Sequence, residues 1–456
     1  MNAAGPRPHR AALADVRAQE ALRLLGPEPA NWVEPAGVDR DVAVVGGGQC
    51  GVTIAFALRR AGVRNITVLD AADPAEVGGW RTTARMRVLR TPKDRSGPEI
   101  GIPALSFRAW YEASHGVEAF HAVDRIARTD WADYLTWFTG QVGVAVRHRT
   151  RLVDIEPARG HLRLHLLRDG AATVETVRKV VLANGVDGTG GPFVPPALAT
   201  LPRHLRAHTA DRIDFAGLAG ASVGILGAAS SAFDAAATAL EAGAAEVRLF
   251  CRRPDVVIAR PNSIPPNAGA EEAYHLRPDD FRWETWTRAH RGGASVPLEA
   301  VRRATVHRAF HLHVGTTWRA VRVRRGKVRV DTDDGSHLFD FVIAGTGYQY
   351  DPHTRVELRR IAGDIAMWHD RHPPAAAAPS RLSGYPYVGS GYQLCEKRPG
   401  DAPFLRDVHT FTAAASPSFG RLVGDIASLR TGVPRLVRAI VRDLYNGDLE
   451  RDMDRS

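Results

Sequence analysis

Two glycine turns, each directly behind a short apolar run, constrain this chain more than any other feature of its sequence. The first is Gly46-Gly47-Gly48-Gln49-Cys50-Gly51, after Val42-Ala43-Val44-Val45. The second is Gly227-Ala228-Ala229-Ser230-Ser231-Ala232, after Val223-Gly224-Ile225-Leu226. A buried strand feeding a tight turn and then a helix is the layout of a dinucleotide-binding βαβ unit. One such unit can hold any nucleotide cofactor. Two, about 180 residues apart, predict a chain that holds two cofactors and passes a hydride between them.

Around the first turn the pattern is complete. Asp41–Val45 reads as a buried parallel strand, and Val52–Arg60 as a helix with one apolar side. Gly46 permits the sharp turn. Gly48 leaves room for a pyrophosphate against the backbone, and Gly51 lets the helix close on the strand. Gln49 and Cys50 stand where the helix opens, and its free N–H groups and positive dipole end suit a phosphate. Ala55 keeps the same helix–strand contact small. A second strand, Ile66–Leu69, ends at Asp70, 19 residues past Gly51. There a carboxylate can accept hydrogen bonds from a ribose hydroxyl.

The second turn is degraded. Ala229 stands where a second glycine is usual, and Ala232 replaces the third. Ser222–Leu226 still reads as a strand, Phe233–Ala242 as an Ala-rich helix stopped near Gly243, and Glu246–Phe250 as the next strand. That strand ends at Cys251-Arg252-Arg253, with no acid. Arginine suits bidentate phosphate binding, so this unit is expected to prefer NADPH, with its 2′-phosphate, over NADH.

Length, charge and cysteine usage narrow the class further. A chain of 456 residues suits two or three domains. The net charge is +10, but only four of the 60 basic residues are lysine, and they are spread along the chain. No Lys/Arg-rich run with interleaved aromatics appears, which argues against a nucleic-acid partner. Cys50, Cys251 and Cys395 form no C-x-x-C pair, which argues against a dithiol reductase. His311 and His313 alternate on an expected strand without further ligands, so no metal is expected. No run of 18 apolar residues and no signal-peptide pattern occur, so no membrane partner and a cytoplasmic location are expected.

The expected organisation is α/β, with two Rossmann-like dinucleotide-binding domains, the second inserted in the first, each with a β-meander. Helices flank them at both ends. Residues 1–37 read as an N-terminal helical extension carrying the amphipathic helix Arg10–Leu25. Residues 38–218 and 346–456 read as the two parts of the first domain, and 219–345 as the second. Trp131–Phe138 reads as helix with Thr129 or Asp130 as N-cap. Arg151–Ile155, His161–Leu167 and Thr173–Ala183 form one expected meander, and Trp318–Val323, Lys327–Thr332 and Leu338–Ala344 the other. The stretch 254–301, with Tyr274, Trp283 and Trp286, is too long for a plain loop and is expected to contain helix and to line a substrate site. Pro434–Tyr445 reads as an amphipathic helix.

In order along the chain, these motifs resemble the class B flavin-dependent monooxygenases, which include flavin-containing, N-hydroxylating and Baeyer–Villiger enzymes. The resemblance runs from about Asp39 to Asp448. It rests on the Gly46 turn, Gly78-Gly79-Trp80, the Gly227 turn, Ala344-Gly345-Thr346-Gly347-Tyr348 and Gly424-Asp425-Ile426. It implies FAD at the first turn, NADPH at the second, and O2 as oxidant for a small-molecule substrate through a C4a-hydroperoxyflavin. Implied FAD contacts are Gly46, Gly48, Gln49, Cys50, Gly51, Asp70, Gly79, Trp80, Val153 and Asp425. Implied NADPH contacts are Gly227, Ser230, Ser231, Arg252 and Arg253, and Gly347 and Tyr348 are further implied cofactor contacts. Asn262 is the candidate for orienting the flavin–oxygen adduct.

Departures from the family's patterns narrow the substrate. Of the Phe, Gly, His and Trp fingerprint of Baeyer–Villiger enzymes only His208 fits, with Pro202, His204 and Arg212 at the other places. The run from Asp340 through Tyr348 to His353 partly matches the N-hydroxylating enzymes. N-hydroxylation of an amine or amino-acid-like substrate is therefore the first expectation. S-oxygenation, Baeyer–Villiger oxidation and an FAD/NADPH oxidoreductase without oxygen insertion are the alternatives. A homo-oligomer is compatible with the sequence.

Overall fold

The computed structural model describes residues 8–186, 188–259, 267–290, 293–372 and 384–455. Its first sheet has seven strands. In spatial order six of them are Val146–Arg147, Ile66–Leu69, Arg40–Val45, Ala171–Leu182, His161–Arg168 and Thr150–Ala158. Val408–Thr410 adds in parallel beside Ala171–Leu182. The strand Ala171–Leu182 does two jobs. Its first half pairs antiparallel with His161–Arg168 in the meander, from Arg168 opposite Ala171 to Leu162 opposite Val177. Its second half runs parallel to Arg40–Val45, with Val45 opposite Leu182. Residues Val177 to Leu182 are accordingly all buried, while Ala171 to Val174 are exposed.

Burial of that second half takes two cations inside, and each is answered. Arg178 meets Asp448 at 2.8 Å, and Lys179 meets Asp407 at 2.7 Å and Asp443 at 3.3 Å. A buried charge is tolerated only when paired in this way. Asp443 and Asp448 belong to the C-terminal helix, Leu429–Arg455, which extends well beyond both ends of the expected Pro434–Tyr445. Its buried Leu436, Ile440 and Leu444 share one core with Ile54, Phe56 and Leu58 of the helix Gln49–Arg60, against which it packs.

The second sheet is all parallel, in the order Phe310–Val314, Glu246–Cys251, Ser222–Leu226, Phe341–Ala344, Arg206–His208. The helix Ser230–Glu241 lies on it through Ala232, Ala235, Ala236 and Ala239, all with no solvent exposure. Small side chains bring helix and sheet close together. A separate three-stranded meander comprises Trp318–Arg324, Lys327–Thr332 and Gly335–Phe339.

Several expected elements are corrected by the structure. Leu338–Ala344 is not one strand: Gly335–Phe339 closes the meander, and Phe341–Ala344 enters the parallel sheet. Asp340 makes the break, accepting from the Ser222 N–H at 3.0 Å and meeting Lys327 at 2.7 Å. The helix read at Trp131–Phe138 runs Arg128–Val142, and its N-cap is Ala127, not Thr129 or Asp130. A bridge between Val88 and Ala127 and the Arg128 N–H donated to the Arg87 carbonyl hold the chain extended up to that point. The N-terminal helix, Pro8–Leu24, packs on Phe107–His115.

Candidate functional site

The first glycine turn has the backbone its sequence predicts. Gly46 has φ +111°, and its N–H donates to the Leu69 carbonyl at 2.7 Å. A Cβ there would stand 2.3 Å from the Ala183 oxygen, and one on Gly51 would stand 1.7 Å from the Gly46 oxygen. Both positions therefore require glycine for close packing. Gly48 differs: the nearest atom to a Cβ there is the Gly78 Cα, at 3.6 Å. That is ordinary contact distance, and Gly48 lines a cavity, as a cradle for a ligand requires. Gly48 is the N-cap of Gln49–Arg60 and gives it no side-chain cap, which leaves the helix N-terminus to a ligand. Asp70 holds the turn, accepting from the N–H groups of Gly47 and Ala72, each at 2.7 Å.

A cavity of about 460 Å³ opens on this turn. Gly47, Gly48, Gln49, Gly78 and Trp80 form one side. Ala132, Leu135, Thr136 and Thr139 form another, as one face of the helix Arg128–Val142. Val77, Val146 and His148 complete the wall. The sequence reading missed these residues; the i, i+3, i+4, i+7 spacing of the helix face was the one signal available. Gln49 spans the structure, donating to the Gly424 carbonyl at 3.2 Å and accepting from the Trp131 indole at 3.1 Å. Cys50 also donates to the Gly424 carbonyl, at 3.3 Å. Burial pushes its thiol up to about 12, which makes it a packing group, not a nucleophile. Asp425 accepts from the Ser428 N–H at 2.7 Å, and burial raises its carboxyl. Gln49, Cys50 and the Gly424–Asp425 corner are thus brought together across nearly the whole chain. Gly79, at φ +70°, turns the backbone beside Trp80. Val153 stands outside the cavity wall, where the register between Thr150–Ala158 and its neighbour shifts.

The second turn repeats the first. Gly227 has φ +114°, and its N–H donates to the Phe250 carbonyl at 2.9 Å. A Cβ on Gly227 would stand 2.2 Å from the Gly345 oxygen. The helix that follows begins without a side-chain cap at Ala229. The Ser230 hydroxyl donates to the Ser295 carbonyl at 3.1 Å, and the Ser231 hydroxyl accepts from Thr209 at 3.3 Å. Arg252 is exposed at the strand end, and Arg253 donates to the Ala294 carbonyl at 3.3 Å. Gly347, at φ +75°, accepts from the Phe193 N–H at 2.8 Å, and Tyr348 lies edge-on to His208. Asn262 lies outside the described residues.

The aromatic stretch contains the expected helix, Asp279–His290. Trp283 stacks on Trp368, and the Trp286 ring meets Tyr385 edge-on. This segment therefore bridges the second unit to the C-terminal part of the chain. His311 and His313 are not brought together as ligands. His311 meets Glu246 at 3.3 Å, and His313 stacks on Phe250.

Comparison with known proteins agrees with this geometry. Residues 43–187 match the FAD-NAD(P)-binding family model. The FAD-dependent urate hydroxylase of Xanthomonas campestris pv. campestris is 39% identical over 421 residues, covering 91% of this chain and 88% of that protein. Among solved structures, the ornithine hydroxylase of Pseudomonas aeruginosa matches with a TM-score of 0.69 at 16% identity, over 89% of this chain and 99% of its own. L-lysine 6-monooxygenase from Pseudomonas syringae matches with a TM-score of 0.67 at 17% identity, over 90% and 99%. The fold is that of the two-dinucleotide-binding flavoenzymes. The chain belongs to the FAD-dependent hydroxylase family that includes the Xanthomonas urate hydroxylase. It is an FAD-dependent oxidoreductase whose cofactors are FAD and a nicotinamide dinucleotide. No helix among the described residues is long and apolar enough to cross a membrane.

Proposed function

We propose that this enzyme is an NADPH- and O2-dependent hydroxylase of a small, electron-rich nitrogen heterocycle of the urate kind. The observation that carries this reading is the 39% identity to a urate hydroxylase along 91% of the chain. Bound FAD supplies the hydride acceptor and the oxygen-activating ring. The chain's own work is to bind, orient and exclude water. Gly46, Gly48, Gly51 and Asp70, with Gln49 and Trp80, would hold FAD. Gln49 and Cys50, both on the Gly424 carbonyl, fix the Asp425 corner relative to that turn. Gly227, Ser230 and Ser231 receive the NADPH pyrophosphate, and Arg252 and Arg253 the 2′-phosphate. Such a reaction depends on positioning and desolvation more than on an acid–base pair.

N-oxygenation of an amine is the second reading, supported by the partial run from Asp340 to His353. Its support is reduced by the part Asp340 plays in breaking the strand. The two readings separate in one experiment. FAD-loaded enzyme, NADPH and labelled O2 are incubated with urate and, separately, with ornithine, lysine and cadaverine. We expect NADPH consumption coupled to one labelled oxygen in the product from urate. An amine-dependent reaction whose rate climbs with pH, as the amine loses its proton, would favour the second reading instead.

A further inference from the structure

The cavity that neither nucleotide turn explains lies between the two α/β units. It measures about 510 Å³, and none of its walls comes from a residue of either glycine turn. Six guanidinium groups line it: Arg81, Arg85, Arg87, Arg128, Arg212 and Arg303. Four carboxylates answer them. Arg81 meets Asp133, and Arg212 makes a two-pronged contact with Glu76. Arg87 and Arg303 share Glu241, at 2.7 and 2.6 Å. Arg303 also lies 3.6 Å from Asp234, which Arg90 approaches at 3.4 Å.

Arg85 and Arg128 have a different environment. Arg85 donates to the carbonyls of Thr83, Thr209 and Asp211, and Arg128 to those of Trp80 and Met86. Among the described residues neither has a carboxylate within ion-pair distance. The excess positive charge of the cavity therefore sits on these two groups. Burial pushes both guanidinium groups down, and the neighbouring Arg303 and Arg81 push Arg128 down further. An anion in the cavity would relieve that strain.

The cavity is also distinct in position from the second nucleotide turn. It reaches the helix Ser230–Glu241 at Thr238 and Glu241, about 12 to 16 Å along the axis from Ser230. That is the end opposite the pyrophosphate turn. Arginine forks converging from several elements match phosphate oxygens better than they match a single-point anion. A volume of this size holds a small molecule.

We propose that this cavity binds a small polyphosphate anion, free pyrophosphate or a diphosphate group carried by a metabolite. Its occupant would tie together the 81–87 loop, the helix Arg128–Val142, the 212–215 linker and the helix Leu298–Thr305. Calorimetric titration of the FAD-loaded enzyme with pyrophosphate, at constant ionic strength, tests this directly. ADP separates the carried group from the free one, and sulfate serves as the single-anion control. We expect saturable one-site binding of pyrophosphate or ADP, a raised Tm, and weak or no binding of sulfate. Arg128→Gln should weaken binding by about tenfold or more. Because Arg128 also supports two loops, Arg212→Gln is the companion variant. Its side chain is 62% exposed, so its substitution leaves the packing intact, and a several-fold weakening is expected. Absence of saturable binding, equal binding of sulfate, displacement by NADPH, or wild-type affinity in both variants would each overturn the proposal.

Discussion

The two glycine turns share a backbone and differ in what closes them. Gly46 and Gly227 have φ values of +111° and +114°, and each donates its N–H to the carbonyl of the neighbouring strand's last or near-last residue. Both would clash through a Cβ with the backbone at the end of a third strand, at Ala183 and Gly345. In the first turn the next strand ends in Asp70, which grips the turn itself through Gly47. In the second it ends in Cys251, followed by Arg252 and Arg253. We propose that main-chain geometry makes each nucleotide site, while the residues ending the adjacent strand select the nucleotide. An acid braces the turn and can serve a ribose; a cation can serve a phosphate.

The largest expected effect tests the first half of that statement. Gly48→Val sets a Cβ at ordinary contact distance from Gly78 and its methyls on the cavity wall, so the protein should fold. Filling a well-shaped site costs about 1–3 kcal/mol or more, so FAD affinity should fall roughly 100-fold, and the protein should purify colourless. A yellow variant with wild-type FAD affinity would mean that the cofactor lies elsewhere.

Each sheet holds a buried histidine, His409 in the first and His208 in the second. His409 is fully buried on Val408–Thr410. Its Nδ1 donates to the Gly391 carbonyl at 2.8 Å, and its Nε2 has no partner among the described residues. Burial holds it down at about 4, against 6.5 ordinarily. Burial also holds down the imidazole of His208 in the second sheet. Between pH 6.5 and 4 the unfolded chain binds the proton and the folded one does not. Stability is therefore present above pH 6.5 and falls as pH drops through that window, by about 3 kcal/mol from His409. His409→Asn can keep a donor for Gly391 and remove the titration. Its Tm should fall less than that of the wild type between pH 7 and pH 4.5; parallel curves would refute the assignment.

The arginine pair tests the second half. Arg252→Ala with Arg253→Ala should raise the KM for NADPH by about 10- to 100-fold, the loss of a charged hydrogen bond worth about 1.5–3 kcal/mol. The KM for NADH should barely move. Arg253 also supports Ala294, so Arg252→Ala alone, at an exposed position, should move the ratio in the same direction by less. Equal use of both nucleotides by the wild type would remove the contrast between the two turns.

The turns were legible because every local signal around them agrees: apolar strand, glycine spacing, helix and terminal residue lie within about 30 consecutive positions. The walls of the cavity were not. Val77, Leu135, Thr139 and His148 are ordinary residues, brought to the turn only by tertiary packing. The split at Asp340 was invisible for a related reason. Both sides, Leu338-Phe339 and Phe341–Ala344, are extended and apolar, with Asp340 the one polar residue between them. Only the long-range bond from the Ser222 N–H marks where the chain changes sheets. The helix start at Arg128 was set by pairing with the 87–89 segment, which outweighed the capping preference of Thr129 and Asp130.

The smallest expected effect asks whether Asp70 acts as a charge or as a brace. Its two oxygens accept from Gly47 and Ala72, each at 2.7 Å, and each oxygen retains a lone pair for a ribose hydroxyl. Asp70→Asn keeps one acceptor and turns an amide N–H₂ toward a backbone N–H. One backbone donor then loses its partner, at a cost of about 1–2 kcal/mol. FAD affinity should fall by roughly 5- to 30-fold, with a modest loss in the Tm of the FAD-free protein. Asp70→Ala removes both acceptors and should cost more in both measurements. If Asp70→Asn instead matched the wild type in FAD affinity and in Tm, Asp70 would be neither brace nor ribose acceptor. The difference between the two turns would then rest on the arginines of the second alone.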